Sequence, residues 1–201
     1  MDLASHWRAA WQALGAQPDN LLFEALIAAY REPHRRYHTV QHLEECFHHF
    51  DLIRAGAEEP AEIELALWFH DAIYDTRRHD NEERSAQWAR ESIVPVSRET
   101  AERVHALVMT TKHTAVPEGI DAQILVDVDL WILGAPPQRF DEYEVQVRDE
   151  YAWVPTALYR RERRRILSGL ASRPTVFSTP VFAARFEGQA RGNLARALAR
   201  L

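Results

Sequence analysis

The chain has 201 residues, enough for one domain with a sizeable core, and its 46% hydrophobic and 27% charged residues are the balance of a globular rather than a disordered protein. A net charge of -6 implies no basic face and so argues against an extended nucleic-acid surface. One cysteine, Cys46, excludes an internal disulfide and suits a reducing, cytoplasmic setting, while the absence of a cationic leader or of an apolar run of roughly 18 residues gives no expectation of secretion or of a membrane span.

Helical periodicity runs through nearly the whole chain and strand alternation is almost absent, which predicts an all-α fold of about nine or ten helices. Leu3, Trp7, Ala10, Trp11 and Leu14 share one face of a first helix that Gly15 ends. Asp19 or Asn20 caps a second, carrying Leu22, Leu26 and Tyr30, and Pro33 stops it. Thr39 stands as N-cap of a third, with Val40, Leu43, Phe47 and Phe50 inward and Gly56 closing it. Pro60 opens a fourth, whose apolar set Ile63, Ala66, Leu67 and Ile73 carries it into Trp68-Phe69-His70-Asp71. Beyond a polar loop at 75–80, Asp80 and Glu83 have the spacing of a capping box ahead of a helix to Ile93. Ser97 to about His113 reads as the next helix, with Val104, Leu107 and Val108 on its apolar side. Asp121 starts another, which holds Ile124 to Leu133 and breaks at Gly134 and Pro136-Pro137. Three more follow at about 138–151, 155–171 and 179–200, divided by Pro155, Pro174 and Pro180. Arg160, Arg161, Arg163, Arg164 and Arg165 spread around the middle one of these, first as a solvated face and second as a phosphate-binding patch. No repeat or long linker divides the chain, so residues 1–201 are expected to form one domain.

A lone His-Asp pair carries little weight, since 10 histidines and 11 aspartates in 201 residues give about half a pair by chance. The signal is the set of four places: Tyr37 to His42, Trp68 to Asp71, Thr110 to His113, and Leu125 to Leu130. Asp127 and Asp129 lie inside an apolar helix, where an ionised carboxylate is costly unless a cation or hydrogen bonds compensate it. They point about 200° apart on a helix, so one of the two reaches a common metal. His38 and His42 are one turn apart, and His70 and Asp71 are neighbours able to approach one ion from two directions. Imidazole and carboxylate donors suit Mn²⁺, Fe²⁺, Co²⁺, Ni²⁺ or Zn²⁺, and a set without cysteine argues against a structural zinc site.

The series His42, His70-Asp71, Asp129 resembles the H…HD…D signature of the HD superfamily. Arg36-Tyr37-His38-Thr39, Phe69 to Asp75, Asn81-Glu82, Ser85-Ala86, Asp127 to Leu130, Val147 to Tyr151, and Glu187, Arg191 and Asn193 extend the likeness. Together they resemble one bacterial family of predicted metal-dependent HD phosphohydrolases over roughly residues 5–198. The resemblance implies a helical HD domain with its metal-site core at about 36–133 and helices 138–200 packed on it. It implies His42, His70, Asp71 and Asp129 as ligands of a divalent metal, with Mg²⁺ added to the ions above. Asp71 doubles as a proton acceptor. Laid against the His-Asn-x-x-x-His motif of cyclic-nucleotide phosphodiesterases, His38 corresponds to the proton donor, although Thr39 replaces the Asn. Tyr74 stands where those enzymes have a further histidine.

These residues imply a hydrolase cleaving a phosphoester or phosphoanhydride of a small phosphorylated metabolite, a nucleotide first among them. Glu82, Lys112, His113 and Arg148 are the candidate substrate contacts, the cations neutralising phosphate oxygens. Two alternatives share the residues: an HD-type di-iron oxygenase, in which His38 and His113 add ligands, and a non-catalytic metal- and nucleotide-binding sensor. Exposed tryptophans would mark a homodimer face.

Overall fold

A computed structural model describes residues 2–201. Its elements are α1 (Leu3–Ala13), α2 (Asn20–Tyr30), α3 (Val40–Asp51), α4 (Pro60–Phe69), α5 (Asn81–Ile93), α6 (Arg98–Thr110), α7 (Ile120–Asp129), α8 (Pro137–Glu150), α9 (Thr156–Ala171) and α10 (Pro180–Arg200). Two 3₁₀ turns, Arg54–Gly56 and Leu130–Gly134, complete an all-helical fold with no strand among the described residues. The expected count of helices is met at its upper value.

Local chemistry explains most helix ends. Asp19 accepts from the N–H groups of Leu21 and Leu22 to start α2, and Ser97 accepts from Thr100 N–H to start α6. Gly15 leaves α1 with φ +70°, a conformation that costs other residues a Cβ clash. Helix α4 is the pivot. From Ile63 to Phe69 every residue is buried, so a helix apolar all round lies in the middle of the molecule against α1, α3, α5, α6 and α7. Its two buried acids are paired, Glu62 with Arg103 at 2.8 and 2.5 Å, and Glu64 with His6 at 2.9 Å and with Arg54. Asp121, expected only to start α7, also ties down the residues leading into α4 by accepting from Glu58 and Glu59 N–H.

Several local details differ from expectation. The capping box at Asp80 does not form: Asp80 pairs with Arg78 and Glu83 with Lys112, while Asn81 ties down Asp75. Helix α4 stops at Phe69 rather than running to Ile73, which puts His70 at its C-cap and Asp71 in the turn beyond. Helix α6 stops at Thr110, and His113 takes φ +54° in the following turn. Helix α7 tightens to 3₁₀ geometry after Asp129.

The C-terminal helices are fastened by side chains acting on backbone. Asp127 accepts from Ser178 N–H, Thr179 N–H and Thr179 Oγ1–H at 2.6–2.7 Å, locking the start of α10. Asn193 donates to the carbonyls of Leu133 and Ala135, and Glu187 with Arg191 clamps the segment 171–177. Gly134 is required by this docking, because a Cβ there would meet Phe186 Cβ at 2.6 Å. Of the arginine run on α9, Arg163 is buried against Glu144 and Tyr143, while Arg160, Arg161, Arg164 and Arg165 are exposed as a solvated face. No helix is long and apolar enough to cross a membrane.

Candidate metal centre

Three elements converge under the surface. Helix α3 presents His42, the turn after α4 presents His70 and Asp71, and the end of α7 presents Asp129. His42 Nε2 lies 3.0 Å from His70 Nε2, 3.5 Å from Asp71 Oδ2 and 3.3 Å from Asp129 Oδ1. His70 Nε2 lies 3.1 Å from Asp71 Oδ2 and 3.7 Å from Asp129 Oδ1. An ion with bonds of about 2.1 Å holds neighbouring donors roughly 3.0 Å apart at right angles and roughly 3.4 Å apart at the tetrahedral angle. The five observed spacings, 3.0–3.7 Å, lie close to the edges of such a polyhedron, so the two imidazoles and the carboxylates beside them are placed to share one cation.

The histidine tautomer supports the same reading. His70 Nδ1–H donates to Leu67 carbonyl at 2.8 Å, which leaves the Nε2 lone pair aimed at the other donors. Burial disfavours ionisation of every group here, yet the opposing charges win. His42 and His70 are pushed up and Asp71 and Asp129 pulled down, with Cys46, Tyr37, Asp129 and Asp71 holding His42 up and His70 and Asp71 acting on each other. The two imidazoles are 1% exposed whereas Asp71 and Asp129 are 18% and 13% exposed, so the cluster opens to solvent on its carboxylate side.

Cys46, which the sequence-derived ligand set leaves out, lies against the cluster. A buried His/Cys/His/Asp group able to hold a metal comprises His42, Cys46, His70 and Asp129, with donor atoms within 4.8 Å of one another. Cys46 Sγ is 3.7 Å from His42 Nε2, farther than either carboxylate, and burial raises the thiol to about 11. The thiolate is the form that ligates, so Asp71 is the better fourth donor and Cys46 packs beside the set.

Around the opening, His38 Nδ1–H donates to Glu150 Oε2 at 2.8 Å, and its ring stacks on Tyr74 with centroids 4.1 Å apart. Glu150 was missing from the sequence-derived candidates. Its Oε1 accepts from the N–H groups of Arg36, Tyr37 and His38 at 2.8–3.0 Å, and its Oε2 also accepts from Tyr74 O–H at 3.0 Å. Burial alone would raise this carboxyl, but the His38 ring and the amide donors hold it at about 2. Arg35 was also missed. Its side chain is fully buried and donates to the carbonyls of His38, Asp71 and Ala72, fastening the two site loops together. Glu150 lies within the Val147–Tyr151 stretch that carries the family likeness, but its role on His38 rests on contacts from distant parts of the chain, as do Arg35's bonds to Asp71 and Ala72.

The other candidates divide. His113 Nε2–H donates to Asp129 Oδ2 at 2.9 Å, leaving Oδ1 to face the imidazoles. Glu82 is half-buried with its carboxyl raised by burial and by Asp71, and Lys112 pairs with Glu83 next to it. Arg148 is not brought to the cluster; it donates to the carbonyls of Tyr151 and Val154 and lies over the Tyr159 ring. The assignment of Arg148 as a phosphate contact is therefore corrected: its guanidinium closes the C-terminal end of α8. Asp127, tied to Ser178 and Thr179, faces away from the role that Asp129 takes. No family model, curated protein or solved structure matches this chain.

Proposed function

We propose that the protein is a metal-dependent hydrolase of small phosphorylated metabolites, nucleotides first among them, in the manner of the HD superfamily that its signature resembles. The observation carrying this reading is the convergence of His42, His70, Asp71 and Asp129 on one point, with the Glu150-held His38 beside its solvent-open side. A divalent cation bound there supplies a coordinated water of lowered pKa and withdraws charge from a phosphoryl oxygen.

The chain's own residues supply the rest. Since Nδ1–H of His38 is committed to Glu150, the proton for a leaving oxygen is carried at Nε2, and donation from that atom is worth about 10²–10⁴-fold. Tyr74 fixes the plane of the ring by stacking on it, and Arg35 holds the backbone of His38 and Asp71 in one register. Glu82 and Lys112 flank the open side, the ammonium able to meet phosphate oxygens. The oxygenase alternative needs a second iron, and among the described residues one group of His, Cys, Asp and Glu gathers donors closely enough to hold a metal.

Protein purified without chelators should carry about one equivalent of transition metal and release phosphate from a nucleotide panel with Mn²⁺, Mg²⁺, Co²⁺ or Ni²⁺. Metal-loaded protein that hydrolyses no phosphoester or phosphoanhydride would overturn the assignment. Oxygen consumption by an iron-loaded sample would move it to the oxygenase class.

A further inference from the structure

His113 is the one residue other than glycine with a positive φ among the described residues, at +54°, a backbone that side chains with a Cβ rarely adopt. It stands in the turn after α6, and residues 114–116 beyond it are exposed. Its ring is held at one nitrogen only: Nε2–H donates to Asp129 Oδ2 at 2.9 Å, while Nδ1 is buried without a partner. The aim of this imidazole, and with it the orientation of the Asp129 carboxylate, therefore depends on the backbone that carries the ring.

One side chain grips that backbone from far along the chain. Arg173, between α9 and α10, donates from Nη2 to the His113 carbonyl at 3.1 Å across 60 positions. Its own carbonyl accepts from Arg191 Nη2 at 2.7 Å, and Arg191 Nε donates to Glu187 Oε1 at 2.7 Å. Glu187 in turn accepts from Val176 and Phe177 N–H at 2.9 and 3.2 Å. Arg173 is thus fastened to α10 at its base and to the His113 turn at its tip. We infer that Arg173 is a positioning residue of the metal centre. By holding the His113 backbone in its left-handed turn, it aims the imidazole at Asp129 Oδ2 and leaves Oδ1 turned toward His42 Nε2 at 3.3 Å and His70 Nε2 at 3.7 Å. This rests on the reading of Asp129 as a metal ligand and adds the C-terminal helices to what shapes that centre. One carbonyl needs one donor, which an ammonium also offers, so lysine can stand in for Arg173 where it cannot for Arg35 with its three carbonyls.

The test is a double-mutant cycle on the whole chain, read as Co²⁺ affinity by competition with a chromophoric chelator. Arg173→Met removes the donor and His113→Ala removes the imidazole; each should weaken Co²⁺ binding about tenfold, as the loss of a group that orients a ligand does. Together they should cost no more than His113→Ala alone, because Arg173 acts through the His113 ring. Arg173→Lys should restore the affinity. In the metal-free protein, the His113 Nε2–H proton should exchange with solvent faster in Arg173→Met than in wild type or Arg173→Lys. Should Arg173→Met fail to fold, Arg173→Gln, whose amide ends short of the carbonyl, takes its place in the cycle. The role is overturned if the donor-free variant keeps wild-type affinity, if its loss multiplies that of His113→Ala, or if Arg173→Lys binds as weakly as it does. Wild-type protein that binds no Co²⁺ overturns the metal centre and the role of Arg173 with it. Coupled losses in a protein that hydrolyses nothing uphold Arg173 and sink the hydrolase, and hydrolysis with independent losses does the reverse.

Discussion

His38 and Glu150 are 112 positions apart in sequence and 2.8 Å apart in the fold, with Nδ1–H of the imidazole donating to Oε2 of the carboxylate. The other oxygen, Oε1, is committed to three successive backbone N–H groups. That commitment makes the isosteric change Glu150→Gln informative. Three donors require an acceptor at Oε1, so the amide must place its NH₂ where Oε2 stood. An NH₂ facing Nδ1 demands a lone pair there and drives the ring proton to Nε2. The imidazole is inverted without being moved.

Glu150→Gln should therefore keep metal content and helicity while turnover falls by about 10²–10⁴-fold, because a ring whose Nδ1 must accept carries no proton there, and giving up the proton at Nε2 would leave it anionic. Ring ¹⁵N shifts of His38 should report a proton on Nδ1 in wild type and none there in the variant. The acid limb of stability should change as well. Glu150 is held at about 2 against an ordinary 4.5, so the unfolded state binds the extra proton between those values. Stability is gained above that window and lost as pH falls through it, and the variant should show a flatter melting profile from pH 4.5 to 2. An unaltered tautomer, with turnover retained, would falsify the positioning role.

Asp127 and Asp129 make a second contrast. Asp129→Ala should abolish metal retention with a modest change in melting temperature. Asp127→Ala should leave metal content intact but cost about 3 kcal/mol or more, because Ser178 N–H, Thr179 N–H and the Thr179 hydroxyl lose a buried acceptor. Cys46→Ala belongs with the latter: its thiol lies outside the nearest donors, so metal binding should persist. Reversal of the two aspartate phenotypes, read by metal analysis and thermal melts, would exchange their assignments.

How much of this was legible in sequence follows from the range of each interaction. The helices and their proline and glycine borders were, because capping and periodicity act within a turn or two, as Asp19 and Ser97 show. The opposed directions of Asp127 and Asp129 were, because the angle between them is fixed by the helix itself. Glu83 misled, since Lys112 from the turn after α6 took the carboxylate that a local capping box needed. Glu150 fell within a stretch that extended the family likeness, but no role followed for it, and Arg35 and Cys46 were not singled out for the site. Glu150 meets His38 and Tyr74 from another element, and nothing in the spacing of Arg35 says that it will meet the carbonyl of Asp71, whereas Cys46 meets His42 one turn away on α3.

Arg35 yields a third prediction. Its guanidinium donates in fixed directions to three carbonyls and to Glu32 at 3.0 Å, between the rings of Tyr30 and Tyr74. Lysine keeps the charge but offers a compact ammonium that cannot span those acceptors. Arg35→Lys should lose about 2–4 kcal/mol in denaturant unfolding and bind metal roughly tenfold more weakly, as supporting residues of metal sites do. Wild-type stability in Arg35→Lys would mean that the two loops are held in register by something else.

His49 gives the last prediction, one independent of catalysis. It is buried on α3, stacked on Trp131 with centroids 3.9 Å apart, and its Nδ1 has no partner. Burial, with His48 and Arg185 adding positive charge nearby, lowers this imidazole from 6.5 to about 4. The unfolded chain therefore takes up a proton between those values that the folded chain refuses. Stability is complete above pH 6.5 and drains away as pH falls toward 4. His49→Phe keeps a ring against Trp131 and removes the proton acceptor. Thermal melts at pH 7.5 and 5.0 should show a smaller acid-side drop for the variant than for wild type, and equal drops in the two proteins would show that His49 carries a proton in the folded state.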